Sequence, residues 1–341
     1  MKKPIISIVI CVYNGEHLLP TCLQSVLEQT ASKEDFEVII INNNSTDKTL
    51  EVAEKYVREN PNFKVFNEEN VGLSYARNRG FHESAGDYVS YLDDDAKLAP
   101  DWVERALNII SAQQPDIFGG PIFPFYKTPK PQWFKDAFGS YNDYNKTGLL
   151  NANEFLSGSN IVFHITTFGK LGGFDVNFGM KGEELGYGEE TALLLRARKE
   201  IPDVKIYYDY DLRVYHLVPE YKMQILYFLV NSFSSGRSWE RLHRLTEGNT
   251  IMFKDLRNLL ASINNIVSAG EHLYKLSQKG KLEDYEPFVL DMIVPAISHL
   301  GVLYERITAN ILFYKQRPQF HTRVNRRVRK LLGKEVIDPD S

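Results

Sequence analysis

Four short apolar and β-branched runs punctuate the first hundred residues, at 5–12, 37–41, 63–67 and 88–92, and the stretches between them carry helical spacing. This alternation of strand and helix predicts a parallel sheet covered by helices, the outline of a nucleotide-binding α/β fold. The expected helices fall at about 18–29, 47–59 and 74–84. The second follows Asn44-Ser45-Thr46-Asp47, which supplies good N-cap residues.

Beyond Pro100 the pattern is less regular. A Pro- and aromatic-rich stretch covers 119–144, a Gly-rich one covers 172–188, and residues 205–208 read as a strand. Long irregular segments inside a compact domain are usually binding loops or lids. From about residue 220 the chain reads as helical, with Phe288, Met292, Ile293, Ala296, Ile297, Leu300, Leu303 and Ile307 at helical spacing and a kink expected at Pro295. The expected divisions are a regular α/β half at 1–98, a less regular half at 99–245, and a helical extension with a basic tail at 246–341.

The fourth run, Tyr88-Val89-Ser90-Tyr91-Leu92, leads straight into Asp93-Asp94-Asp95. Three acids where a buried strand meets solvent repel one another unless a cation joins them. An Asp-x-Asp there is a hard-oxygen site suited to Mg²⁺ or Mn²⁺ shared with substrate phosphates. A plain acidic turn is the alternative, and the other strand ends decide between them.

In an open α/β sheet the turns at the carboxyl ends of the strands form the ligand crevice. Here they are Tyr13-Asn14-Gly15, Asn42-Asn43-Asn44-Ser45-Thr46-Asp47, Asn70-Val71-Gly72 leading to Ala76-Arg77-Asn78-Arg79-Gly80, and Asp93-Asp94-Asp95. No Gly-x-Gly-x-x-Gly follows the first strand and no Gly-Lys-Ser/Thr loop occurs, which disfavours dinucleotide and P-loop sites. In this order and spacing the turns resemble the nucleotide-sugar half of the family 2 glycosyltransferases, which have the GT-A fold. The likeness extends through Gly158-Ser159-Asn160, Gly172-Gly173-Phe174-Asp175, Gly188-Glu189-Glu190-Thr191 and Val214-Tyr215-His216, over about the first 240 residues.

The resemblance implies a GT-A-type, Rossmann-like, mostly parallel sheet flanked by helices, with a helical C-terminal extension, and an inverting, metal-dependent transfer from a nucleotide-sugar donor. Tyr13 and Asn14 would lie against base and ribose, and Asn42 or Asn43 would bond the uracil or ribose. Arg77 would face the donor, Asp93 would contact the ribose, Asp94 would complete the donor-binding acidic turn, and Asp95 would hold Mn²⁺ or Mg²⁺. The family often has Asp where this chain has Asn42, and its frequent fourth acid is here Ala96.

Gly188-Glu189-Glu190-Thr191 opens a helix, and two acids in a first turn already suit the helix dipole. The resemblance further makes Glu190 the general base and Glu189 its neighbour, with crowding by Glu183, Glu184 and Glu189 expected to raise the base's pKa. Spacing alone leaves open which of the two acids is the base. His216 is either a hydrogen-bonded structural residue or, as in related enzymes, a group near metal and diphosphate. Phe123, Phe125, Tyr126, Trp133 and Phe134 either pack an irregular subdomain or line an acceptor groove.

The net charge of −4 argues against a nucleic-acid partner, and the two cysteines, Cys11 and Cys22, supply no disulfide framework, so a reducing compartment is expected. Met1-Lys2-Lys3 and the following apolar run imitate a signal peptide, but Tyr13-Asn14-Gly15 ends the run without a small-residue cleavage site, so a first buried strand is expected. Between Glu305 and Glu335 stand nine Lys or Arg residues and no acid, including Arg323, Arg326, Arg327, Arg329 and Lys330. Such a basic amphipathic tail would suit either an anionic membrane surface or packing on its own domain. The expected partners are a nucleotide-sugar donor, a UDP-sugar first, and a glycan or lipid-linked glycan acceptor, in a cytoplasmic or peripheral membrane enzyme. A non-catalytic sugar-nucleotide-binding module and a nucleotidyltransferase are the rivals.

Overall fold

The computed structural model describes residues 2–182, 185–247, 260–269, 271, 275, 285 and 289–310. In the first part, β1 (Ile6–Val12), α1 (Leu19–Leu27), β2 (Phe36–Asn42), α2 (Thr49–Glu59), β3 (Phe63–Asn67), α3 (Leu73–Glu83) and β4 (Tyr88–Asp93) follow the expected alternation. Next come β5 (Ala96–Leu98), α4 (Trp102–Gln113), β6 (Ile117–Gly119), β7 (Ile122–Phe125), β8 (Gly148–Leu149), β9 (Ile161–His164) and α5 (Ile165–Leu171). The remainder is α6 (Glu189–Glu200), β10 (Ile206–Tyr208), β11 (Val214–Leu217), α7 (Ile225–Glu247) and α8 (Val294–Asn310).

An eight-stranded sheet has the order β3-β2-β1-β4-β9-β6-β10-β8. The pairs joining β3, β2, β1 and β4 are parallel, β9 runs antiparallel to both β4 and β6, and β6 and β10 are parallel. The sheet is thus parallel where the strand–helix alternation is regular and mixed beyond it. A second sheet has the order β5-β11-β7.

Successive residues of a strand point to opposite faces, and in β1 both faces are covered. Ile6, Ile8, Ile10 and Val12 join Leu19, Leu23 and Trp102 in one apolar layer, while Val9 joins Ile39, Val89, Tyr91, Phe163 and Phe168 in the other. Double burial explains why these strands read as continuous apolar runs, and why the signal-like start is a central strand. The expected cap of the second helix is displaced by a residue or two. Lys48 occupies the N-cap position, and Asp47 instead accepts from the Thr49 N–H at 3.0 Å.

The chain forms two compact units. The first comprises Met1–Lys127, Lys135–Glu183 and Glu189–Val218, and contains both sheets. The second comprises Thr128–Phe134, Glu184–Gly188 and Pro219–Ser341. Within the second, α7 and α8 pack closely because Gly236 lies against the Ser298 carbonyl and Gly301 against that of Phe233. Glu305 on α8 binds Arg237, Arg241 and Arg244 at 2.9 to 3.1 Å. The interruption expected at Pro295 is a π-helical turn, Val289–Ile293, after which Pro295 sits in the first turn of α8, where a missing N–H costs little. Among the described residues no helix is long and apolar enough to cross a membrane. Phe288, Glu183, Glu184 and the basic residues from Arg323 to Lys330 lie outside the described residues, as does the side chain of Ile307.

Candidate active site

Strand β1 lies between β2 and β4, so the carboxyl ends of these strands meet around one crevice. Its first two turns are stitched together. The Asn14 N–H donates to Ser45 Oγ at 3.0 Å, Asn14 Oδ1 accepts from the Thr46 N–H at 2.8 Å, and the Gly15 N–H donates to Thr49 Oγ1 at 2.8 Å. Asn14 has φ of 51°, a left-handed conformation that Asn tolerates. The neighbouring Tyr13 is 37% exposed.

Asn42 and Asn43 differ from the expectation that they bond a base or ribose. Both are buried, and their amides are spent inside the protein. Asn42 Nδ2 donates to Asn67 Oδ1 at 2.8 Å and its Oδ1 accepts from the Ser45 N–H. Asn43 Nδ2 donates to the carbonyls of Glu68 and Asn70, while its Oδ1 accepts from the Gly72 N–H at 2.8 Å. These two residues shape the walls of the crevice by tying the end of β2 to the turn that enters α3.

At the end of β4, Asp93 and Asp95 meet His216 from β11. One ligand atom from each lies within 4.8 Å of the others, the arrangement a metal ion requires. His216 Nε2 stands 3.1 Å from Asp95 Oδ1 and 3.6 Å from Asp93 Oδ2, while Nδ1 donates to the Leu217 carbonyl at 3.1 Å. With Nδ1 as the donor, neutral imidazole has a lone pair on Nε2. A lone pair facing two carboxylates calls for a proton or a cation, so the donor set fits a divalent ion. With a proton on Nε2 as the bridging charge, burial alone would raise the Asp93 carboxyl, but the hydrogen bond from His216 and the Arg77 charge overturn this and hold it well below the usual carboxylate range.

Asp94 is not part of this cluster. Its carboxylate turns toward Gly15, at a spot where any β-carbon on Gly15 would collide with it. Burial, followed by the charges of Asp95 and Asp93, pushes the Asp94 carboxyl far up. It packs the β1–α1 turn rather than joining the group that faces His216.

Arg77, expected to face the donor, is instead 3% exposed and spans two carboxylates. Nη1 donates to Glu189 Oε1 at 2.6 Å and Nη2 to Asp93 Oδ1 at 3.3 Å. The guanidinium lies 5.4 Å from the Phe174 ring centroid and 5.9 Å from that of Tyr91. Tyr91 also donates its hydroxyl to the Arg77 carbonyl at 3.2 Å. Gly158 makes room for the guanidinium, since a β-carbon there would overlap its terminal nitrogens. Ser159 Oγ accepts from the Asp93 N–H at 3.1 Å, and Asn160 bonds Trp102, Pro121 and Leu212. The segment Gly158–Asn160 therefore supports Arg77 and Asp93 from behind. The closeness of Tyr91, Phe174, Gly158 and Ser159 to these groups depends on contacts across elements that no local spacing encodes.

Glu189 and Glu190 open α6 as the sequence predicts. Glu189 is buried with its Oε1 held by Arg77, Glu190 is half-buried, and on each of them Oε2 is shielded and has no hydrogen-bond partner among the described residues. Burial, then the Glu189 charge, pushes the Glu190 carboxyl up to about 8. The aromatic stretch is packed. Phe123 sits beside Tyr210 and Tyr215, Lys97 lies over Phe125 at 4.0 Å, and in the second unit Trp133 and Phe134 contact Phe228.

Residues 7–172 match the family model described as glycosyl transferase family 2, a span running from β1 through α5. Among curated relatives, a glucosyl-dolichyl phosphate glucuronosyltransferase of Haloferax volcanii is 26% identical over 90% of this chain and 98% of the relative. The glycosyltransferase AglE of the same organism is 34% identical over 35% of this chain and 40% of its own length. Among solved structures, a mannosyltransferase of Pyrobaculum calidifontis in complex with GDP-mannose and Mn²⁺ matches with a TM-score of 0.61 at 14% identity, over 91% of this chain and 89% of that one. S. aureus TarS in complex with UDP-GlcNAc matches with a TM-score of 0.53 at 17% identity, over 84% and 90%. By this match residues 7–172 belong to glycosyltransferase family 2, and the fold is GT-A-like.

Proposed function

We propose that the chain moves a sugar from a nucleotide-diphosphate donor to a hydroxyl of a glycan or lipid-linked glycan, with inversion at the anomeric carbon. The observation that carries this reading is a cation-fitted cluster tied through Arg77 to Glu189, next to the proton-attracting carboxylate of Glu190, whose Oε2 has no hydrogen-bond partner among the described residues. The donor crevice belongs to residues 1–98 and catalysis and the acceptor to 99–245, while most of the extension at 246–341 lies outside the described residues.

Asp95 and His216, with Asp93 beside them, would hold Mn²⁺ or Mg²⁺. When bound there, the ion supplies charge to neutralise the leaving diphosphate. Tyr13, which is exposed, offers its ring to the base, and Asn14 holds the turn that presents it. Glu190 takes the proton of the acceptor hydroxyl as it attacks, since its oxygen is unspent and its affinity for a proton is raised. A single base on the acceptor side is consistent with single displacement and inversion.

The Haloferax relative, a glucosyl-dolichyl phosphate glucuronosyltransferase, supports a lipid-linked acceptor. So does an apolar stripe on the helical stretch 260–269, where Leu260, Ile263 and Val267 are all exposed at i, i+3 and i+7. With the basic tail of the sequence, this stripe suits a peripheral position on the inner face of a membrane.

The test is metal-dependent hydrolysis of a panel of UDP- and GDP-sugars, run beside Asp95→Asn and Glu190→Gln. Release of nucleoside diphosphate from one donor with Mn²⁺ or Mg²⁺, lost in Asp95→Asn, is the expected result. Absence of both turnover and binding across the panel would overturn the reading.

A further inference from the structure

The helix α3 presents Ser74, Arg77 and Asn78 along one edge, at i, i+3 and i+4. All three hold the segment that leads toward Glu190. Ser74 Oγ donates to the Phe178 carbonyl at 2.9 Å, and the Leu73 N–H to that of Met180 at 2.8 Å. Asn78 bonds both the N–H and the carbonyl of Phe174, at 2.8 and 2.9 Å. Arg77 then reaches past this segment to Glu189, whose carboxylate packs against Gly179.

The Arg77 guanidinium thus has two loads. One nitrogen binds Glu189, one residue before the proposed base, and the other binds Asp93, in the cation-fitted cluster. The first contact is shielded, since the side chains of Arg77 and Glu189 are 3% and 6% exposed, and the second is partly so, with Asp93 30% exposed. Charges in such surroundings act on each other more strongly than in water.

We propose that Arg77 is a positioning residue that couples the base side of the site to the cation side: Glu189 neutralises the guanidinium, and this neutralisation is what lets a divalent ion bind beside Asp93. The inference rests on the reading of Asp93, Asp95 and His216 as a cation site. It goes beyond that reading in giving Glu189, which is not in the cluster, a defined effect on cation affinity. If Glu189 loses its charge, the guanidinium stands uncompensated beside the ion and turns its hydrogen bonding toward Asp93. The cation then meets an extra positive charge and a ligand already engaged. Arg is required because its planar fork reaches two carboxylates at once, which the single ammonium of Lys cannot reproduce.

The test is a double-mutant cycle read by Mn²⁺ binding to the full chain, with the metal alone as the probe and electron paramagnetic resonance as the readout. Glu189→Gln should weaken Mn²⁺ about tenfold, the scale of changes around metal ligands. In an Arg77→Met background the same Glu189→Gln change should have no effect, since the charge it uncovers is gone. Unchanged affinity in Glu189→Gln, or equal weakening in both backgrounds, overturns the coupling. Should Arg77→Met fail to fold, Arg77→Lys takes its place, with kcat expected to fall about 100-fold and donor KM to hold, as for a misplaced catalytic group. In that case KM rising with kcat intact counts against the proposal. Wild-type protein that binds no Mn²⁺ removes the cation site and the coupling together, whereas wild-type binding with an unresponsive Glu189→Gln removes the coupling alone.

Discussion

Replacing Glu190 with Gln tests the chemistry most directly, because the structure specifies a pH profile as well as a loss. The side chain is half-buried beside Glu189, and its carboxyl is pushed up to about 8 from an ordinary value of 4.5. A base must be ionised to act. With a pKa near that value, about one tenth of the molecules are ready at pH 7 and about nine tenths at pH 9, so kcat in the wild type should rise about tenfold over this interval. Glu190→Gln should lose that rising limb and about 10²- to 10⁴-fold in kcat. Stability should move the opposite way. A folded-state pKa above the unfolded value contributes stability that is complete below about 4.5 and lost as pH climbs through about 8. The melting temperature of Glu190→Gln, which has no proton to lose, should therefore gain on the wild type between pH 5 and pH 9. Initial rates at saturating donor and acceptor, with scanning fluorimetry at each pH, measure both. A wild-type kcat that is flat from pH 6.5 to 9, or a Glu190→Gln variant that keeps the same limb, refutes the assignment.

Three further outcomes follow from the geometry. His216→Ala should weaken Mn²⁺ by at least about tenfold in calorimetry, while Asp94→Asn, whose side chain turns to Gly15, should leave the affinity unchanged. Gly158→Ala should drive a methyl group into the Arg77 guanidinium and cost about 1–3 kcal/mol in urea denaturation, together with most of the activity. Asn43→Ala should strand the Gly72 N–H and cost about 1–3 kcal/mol while leaving the preference among nucleotide bases unaltered; a changed preference would restore Asn43 to the donor site.

Much of the donor half was legible because its signals are local. Strands β1, β2 and β4, covered on both faces, read as near-continuous apolar runs and differ from the expected runs by a residue at one or both ends, while the expected 63–67 coincides with the less buried edge strand β3. Asp93 and Asp95 were legible because an acid cluster after a buried strand has few inexpensive explanations. The roles of the polar residues were less so. Asn42, Asn43 and Arg77 have the chemistry to bind a nucleotide, and in this fold that chemistry is spent on Asn67, Gly72, Glu189 and Asp93.

By itself the sequence determined the alternation of strands and helices from β1 to β4, the turns that line the crevice and the family, since each depends on residues near one another in the chain. Tertiary structure alone decided that His216 faces Asp95 across 121 residues and that Arg77 spans Glu189 and Asp93. It also decided that Asp94 points away from the cluster and that burial beside Glu189 raises the Glu190 carboxyl. The physical reason is that hydrogen bonds and charges act over a few ångströms of space. Which groups come that close is set by how β4, β11, α3 and α6 pack, not by their separation along the chain.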